Sequence, residues 1–336
     1  MGSSSLGGDA VNVVTMLLIG AFAAGATASS SPQIQQQEQT VIVVVGAGGT
    51  TEYAEQFAKW VALWQQACEE GGARYVAIGL DSDPNTTDRE NLQKMLTDEA
   101  EQTTAALWLV LIGHGTFDGR TARFNLRGSD VSADELAQWL MPIVRPTAVI
   151  NTASSSAPFL KKLSAPGRVV ITATKSGFEQ NYARFGGYLA GAIIDLQADL
   201  DKDGQVSLLE AFLTASHRVD EFYSAAGRLT TEHALLDDNG DSLGTPADWF
   251  RGIRPIKKAA DDTLLDSYRA HQLHLHYSDN ETSMPPELRA RRDRLEIEVL
   301  KLRDNKQMFS EEEYFSKLEA LLLEIAHIYK QTDEPQ

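Results

Sequence analysis

Five short apolar runs constrain this chain more than anything else in it: TVIVVVG (40–46), RYVAIGL (74–80), LWLVLIG (107–113), TAVIN (147–151) and RVVITAT (168–174). Each has the length of a strand and stops at glycine or a small polar residue, as a strand buried on both faces does. The stretches between them are long enough to cross over and rejoin a parallel neighbour. In the first, Tyr53, Phe57, Trp60, Val61 and Trp64 recur at helical spacing. ENLQKMLTDEAEQ (90–102) and SADELAQWLMPIV (132–144) read as further helices, the latter opened by the capping-box pair Ser132 and Glu135. Strand and helix in alternation predict an α/β domain with a mostly parallel sheet of five strands and helices on both faces.

In such sheets ligands gather beyond the carboxyl ends of the strands, and three of those ends carry reactive or permissive residues. The first gives GAGGTT (46–51), which invites a dinucleotide site. Thr51 stands where GxGxxG requires glycine, however, and only Asp81 and Asp83 approach the ribose position. The next gives GHGTFDG, which places His114 between two glycines that leave room for another backbone or a substrate. A histidine at a strand end is suited to general-base work because its pKa lies near neutrality. The third gives NTASSSAPF, three serines on the strand expected beside that of His114. Nucleophile and base would then share one edge.

LIGHG, NTASSS and TATKSGFEQNYARFGGYL (172–189) together resemble the caspase, legumain and gingipain superfamily of cysteine peptidases, most closely its legumain-like branch. The resemblance spans roughly residues 40 to 250. It implies a caspase-like fold, with His114 as general base, Gly115 lending its amide to an oxyanion hole, and Ser154, after Ala153, at the nucleophile position. It also implies that Glu179 helps to read a substrate side chain. The departure is at the centre: serine replaces cysteine. A thiol ionises near neutrality with little help, whereas a serine hydroxyl needs a base that is itself oriented. Asp118 is the nearest carboxylate in sequence to serve as that orienter. Two readings follow. One is a degenerate peptidase fold that acts by binding a peptide or protein at the strand-end cleft; the other is a serine-type hydrolase using His114 and Ser154, with Ser155 or Ser156 as weaker nucleophiles.

DLDKDGQVSLLE (199–210) is a complete calcium-loop pattern. Asp199, Asp201 and Asp203 fill positions 1, 3 and 5, Gly204 the sharp turn, Gln205 the position that ligates through its backbone carbonyl, Ser207 position 9 and Glu210 position 12. Amphipathic stretches flank it on both sides, so an EF-hand-type helix-loop-helix holding Ca²⁺ is expected. Downstream, Asp237, Asn239 and Asp241 repeat the calcium-like spacing, but Ser242 stands where the turn glycine belongs; this is either a second, weaker site or an Asx-rich turn.

The rest of the chain bounds partners and location. With 47 acidic against 30 basic residues and a net charge of −17, binding to a phosphate backbone is disfavoured, so nucleic acid is not an expected partner. Residues 1–28 contain an apolar stretch ending in Ala26-Thr27-Ala28, read as a signal peptide or an N-terminal apolar anchor, which implies export to a periplasmic or extracellular space. A linker (29–39), the main domain (40–255), a connecting segment (256–285) and a helical hairpin (286–331) follow. In the hairpin, Phe315, Leu318, Leu322, Ile325 and Tyr329 are expected to form a seam against Leu288, Leu295, Val299 and Leu302, with self-association as one use of it. Cys68, the single cysteine, reads as a small half-buried residue near the end of an amphipathic helix.

Overall fold

Alternation of side chains along a strand sends successive residues to opposite faces of a sheet, and here both faces are covered. In the computed structural model, which describes residues 38–81, 85–100, 105–260 and 263–333, β1 (Thr40–Val45), β2 (Arg74–Ile78), β3 (Leu107–Ile112), β4 (Thr147–Asn151) and β5 (Arg168–Thr172) are parallel. Val41, Val43, Trp108, Val110 and Ile150 enter one core with the helices α1 (Thr51–Gly71), α5 (Phe185–Ile193) and α6 (Leu208–Ala225). Ile42, Val44, Leu109, Leu111 and Val149 enter the other, with α2 (Asp88–Asp98), α3 (Ala133–Leu140) and α4 (Ala157–Leu163). The expected α/β class and all five parallel strands are therefore present.

Two antiparallel strands extend the sheet past the expected five, β6 (Leu235–Asp237) beside β5 and β7 (Thr245–Pro246) at the edge, giving the order β7-β6-β5-β4-β3-β1-β2. A second addition lies between β3 and α3. Gly115–Phe117, Ala122–Phe124 and Val131–Ser132 form a small antiparallel ribbon, so His114 sits at the joint between the main sheet and this ribbon.

At the amino-terminal edge of the sheet, buried charges have local partners. Buried Glu99 pairs with Arg74 and Arg145. Buried Arg168 has carbonyls for partners, donating to Leu163 O at 2.7 Å and Leu140 O at 2.9 Å at the ends of α4 and α3, where helix dipoles favour a cation. Cys68 is buried in α1, and burial pushes its thiol up to about 12, in keeping with a core role.

The segment 256–285 does more than connect. Leu273 O accepts from Leu208 N at 2.8 Å, His274 bridges to Ser207, and His276 Nε2 lies 2.6 Å from Ala67 O, so this strap lies across the starts of α6 and the end of α1. The hairpin forms as α7 (Pro286–Asp304) and α8 (Glu311–Asp333). Its seam differs from the expected one by a single position. Tyr314 and Ile328 are buried, with Leu318, Leu321 and Ile325 half-buried between them, while Phe315 and Leu322 are exposed and Tyr329, partly exposed, meets Arg292 Nη1 of α7 through its hydroxyl at 3.5 Å. Among the described residues no helix is long and apolar enough to cross a membrane; the apolar stretch of residues 1–28 lies outside the described residues.

Candidate functional site

The carboxyl ends of β1, β3 and β4 bring together the glycine run, His114 and the serines. Close packing explains the glycines. A Cβ at Gly46 would lie 2.4 Å from Asn125 O and one at Gly48 2.8 Å from the Ala54 side chain. The Gly48 carbonyl faces His114 Nε2 at 3.2 Å. This loop thus holds the histidine, and its glycines need no dinucleotide to account for them. The imidazole is also clamped edge-on by Tyr53 and Phe57, with centroid separations of 4.9 and 5.2 Å.

Ser154 lies across from the histidine's own neighbour. Its hydroxyl donates to Gly115 O at 3.3 Å, and the Gly115 amide donates to Ser154 Oγ at 3.4 Å. A Cβ on residue 115 would lie 2.2 Å from Ser154 O, so only glycine fits. No hydrogen bond joins the His114 ring to the Ser154 hydroxyl; each group has a backbone partner instead. Ser154 is buried, with 5% of its surface exposed. Of the other two serines, Ser156 is tied into the structure through its hydroxyl, whereas the buried Ser155 Oγ has no hydrogen-bond partner among the described residues. Ser156 Oγ lies 3.1 Å from Thr174 Oγ1 and accepts from Thr174 N, tying the start of α4 to the end of β5. Ser155 is buried, holds a positive φ of 55° and donates its amide to Glu179 O at 2.8 Å.

Asp118 does not orient the histidine. Its carboxylate caps a turn, accepting from Thr121 N at 2.7 Å and Arg120 N at 2.9 Å, with Arg123 at 3.2 Å. Those two amides, and then the guanidinium, pull its pKa down to about 2. The expectation fails because the ribbon turns Asp118 back on its own hairpin.

Glu179 is engaged from within the chain. Its carboxylate meets His233 Nδ1 at 2.6 Å and accepts from His233 N at 3.3 Å and Lys175 N at 3.0 Å. Neighbouring Glu232 accepts from the Arg184 and Phe185 amides at the start of α5. Neither partnership had a signal in the sequence, since the groups lie about fifty residues apart and meet through β6.

The calcium-loop residues form a second centre. Carboxylate oxygens of Asp199, Asp201 and Asp203 lie within 4.8 Å of one another. Asp199 accepts from the amides of Lys202 and Gly204, Asp201 from that of Asp203, and Asp203 from that of Gln205. Gln205 also bonds Asp203 through its side chain and accepts from Ser278 N. Ser207 caps α6 in a box with Glu210. Glu210 is buried and stands outside the carboxylate triad: Oε1 accepts from Leu200 N and Asp201 N, Oε2 from Ser207 N and Oγ. The incoming helix is shorter than expected. It ends at Ile193, and Asp195, paired with Arg218 and accepting from Gln197 N, restarts the chain as a 3₁₀ turn at Leu196–Ala198.

In the downstream loop, Asp237 accepts from Gly240 N and Ser242 N, Asn239 from Asp241 N, and Asp241 from Leu243 N.

Comparison with solved structures finds distant likenesses. The chain is similar to the Drosophila initiator caspase Dronc (14% identity, covering 60% of this chain and 79% of that one, TM-score 0.37). It is likewise similar to caspase-1 from Spodoptera frugiperda (11%, 60% and 86%, TM-score 0.40) and to drICE (8%, 60% and 88%, TM-score 0.38). No family model matches the sequence, and no curated protein matches it either. The mostly parallel sheet flanked by helices is established by this chain's own strand pairing. Any chemistry has to be argued from this chain's own residues.

Proposed function

We propose that this is an exported, calcium-stabilised protein of caspase-like fold, nearest the legumain-like branch, whose nucleophile position has degenerated and which acts by binding a peptide or protein at the strand-end cleft. The observation that carries the reading is the pairing of Ser154 Oγ with the Gly115 carbonyl while His114 Nε2 faces Gly48 O. A serine becomes nucleophilic when a base takes its proton; here the hydroxyl proton is given to a carbonyl, and the hydroxyl oxygen fills the space in front of the Gly115 amide where an oxyanion would need to sit. In a bound peptide, Glu179, steadied by His233, is the group to read a basic or hydrogen-bonding side chain.

The calcium part of the proposal rests on the donor set. Asp199, Asp201 and Asp203 converge, and Glu210 closes the loop from behind. With the carbonyl of Gln205 and the Ser207 position, these are hard oxygen donors of the kind Ca²⁺ takes. The ion would neutralise three neighbouring carboxylates and so lock the start of α6 against the strap.

The rival reading, a His114–Ser154 hydrolase, is tested by a serine-directed fluorophosphonate probe applied to the full chain with calcium. The binding protein stays unlabelled, and Ser154→Ala changes nothing in the labelling. Stoichiometric labelling lost in Ser154→Ala and in His114→Ala overturns the binding reading. Ser154→Cys sharpens the test: the thiolate needs less help from a base, so reaction with a peptidyl electrophile in that variant alone locates the lost step at residue 154.

A further inference from the structure

The C-terminal hairpin is mounted on the strap. Among the described residues, every hydrogen bond and ion pair that α7 and α8 make with the rest of the chain ends in the segment 256–285. Gln272 Nε2 donates to Asp293 O at 2.8 Å, Arg289 stacks over Tyr277 at 4.4 Å from the ring centroid, and Arg289 and Arg292 both meet Glu281. The same stretch of strap is tied to the first acidic loop. His271 Nε2 lies 3.3 Å from Asp201 Oδ2, Ser278 N donates to Gln205 Oε1 at 3.1 Å, and Leu208 N donates to Leu273 O at 2.8 Å. Neighbouring residues thus face opposite ways at two points. His271 holds the loop and Gln272 the hairpin; Ser278 holds the loop and Tyr277 the hairpin. A displacement of the loop reaches α7 through a single peptide bond at either point.

We propose that calcium in the loop 199–210 fixes the orientation of the hairpin on the α/β domain, and that its removal lets the hairpin swing on the strap. The inference rests on the calcium reading given above. The side chains that hold the strap are those the ion would steady. Asp201 meets His271 itself, and Asp203 accepts from the side-chain amide of Gln205, whose oxygen takes Ser278 N. Without an ion, the carboxylates of Asp199, Asp201 and Asp203 repel one another across less than 4.8 Å, which loosens both ties to the strap. A divalent ion offsets most of that charge and stiffens both. The break then falls at polar groups, Gln272, Glu281, Arg289 and Arg292, which can turn to water. Ala270, Leu273 and Leu275 keep the strap itself in the core.

Double electron–electron resonance on the full chain reads the orientation directly. Spin labels go at Met308→Cys in the hairpin turn and Met141→Cys at the end of α3, positions 79 and 74% exposed; the native thiol, Cys68, is buried. Excess calcium should give one narrow distance distribution, which broadens on chelation while the circular-dichroism spectrum is retained. The Ser278 amide should exchange at least about tenfold faster in the chelated protein. Gln272→Ala combined with Arg289→Ala should keep the distribution broad even at saturating calcium, and linkage requires that this variant bind the ion more weakly. Calorimetry separates the two ways of failing. An ion bound with the distance distribution unchanged overturns this proposal and leaves the calcium reading standing, whereas no ion bound overturns both. A narrow distribution in the double variant also overturns the proposal, since the hairpin would then have another mount.

Discussion

Two acidic loops in this protein share a hydrogen-bond plan and differ in how it is closed. In each, the first carboxylate takes the amides three and five residues on: Asp199 those of Lys202 and Gly204, Asp237 those of Gly240 and Ser242. The third and fifth residues each take the amide two residues on. The fourth and sixth have positive φ in both, Lys202 and Gly204 in one, Gly240 and Ser242 in the other. Behind the first loop stands Glu210, on the helix that the loop itself begins. Behind the second stands Asp266, brought by the strap: its Oδ1 accepts from Asp238 N and Asn239 N as Glu210 accepts from Leu200 N and Asp201 N, and its Oδ2 takes the Thr245 hydroxyl as Glu210 takes that of Ser207. A local closure and an imported one therefore build the same frame. The imported version also buries Asp238 beside Asp266, and burial together with the neighbouring charge holds the Asp266 carboxyl well above the ordinary range.

The sharpest way to break the parallel is to remove one oxygen from each closing carboxylate. Glu210→Gln places an amide NH₂ against amide donors in a fully buried site, so unfolding should cost about 2–4 kcal/mol less than in the parent protein. Asp266→Asn replaces a carboxyl that is already inclined to be neutral, and the Thr245 hydroxyl can turn to accept, so its loss should stay within about 1 kcal/mol. Urea denaturation without calcium measures both; equal losses would mean that the two closures are equivalent.

Calcium should separate the loops in the same way. If the proposed ion binds at Asp199, Asp201 and Asp203, a free concentration 100 times its dissociation constant adds about 2.7 kcal/mol of stability. Chelation should reverse the resulting rise in melting temperature. Asp201→Asn should remove most of it, and Asn239→Ala should leave most of it, because the second loop offers one carboxylate fewer at these positions. Calorimetry with one ion bound fits this picture, and two would promote the second loop to a full site.

Acid should act on the first loop's surroundings by way of the strap. His274, bridged to Ser207, is 6% exposed, and burial followed by the nearby His271 pushes its pKa down to about 3. The unfolded chain binds this proton near pH 6.5 and the folded one does not. The neutral ring's contribution is therefore complete above pH 6.5 and declines as pH falls toward 3, by about 1.4 kcal/mol per unit. The raised Asp266 carboxyl acts in the opposite sense over the same range, so the contribution is read as a difference: in chelated protein between pH 6 and 4, the stability lost by the parent relative to His274→Phe should grow by about 1.4 kcal/mol per unit as pH falls.

The sequence yielded those parts of the fold whose signal is local. Strands buried on both faces have to be continuous apolar runs, and carboxylates at alternate positions of one tight loop have to converge, so the five strands and the clustering of Asp199, Asp201 and Asp203 were legible. The missing pieces are non-local or too short to be periodic. Strands of two or three residues, such as β6, β7 and the ribbon after His114, have no pattern to read. The Glu179–His233 pair, and Asp266 lying 28 residues beyond Asp238, exist only because the sheet and strap fold them together. The seam of α8 was displaced for another reason: a helix with two apolar arcs does not say which one its neighbour uses.

The smallest expected effect tests why Ser242 read as a mismatch. At position 6 a calcium loop takes glycine because the backbone must adopt positive φ. Ser242 adopts it regardless, at 66°, where Gly204 has 91°. The structure therefore absorbs the strain of a side chain in the left-handed region, and Ser242→Gly should release it. The more flexible unfolded chain offsets part of that gain, leaving about 0.5–1 kcal/mol of added stability. The mirror substitution, Gly204→Ala, has free space for its methyl, since the nearest atom would be Ser278 Cβ at 3.9 Å. Its cost should come from φ alone, about 1 kcal/mol. Opposite signs of similar size would show that both loops follow one backbone requirement, met by residue choice in the first and by strain in the second.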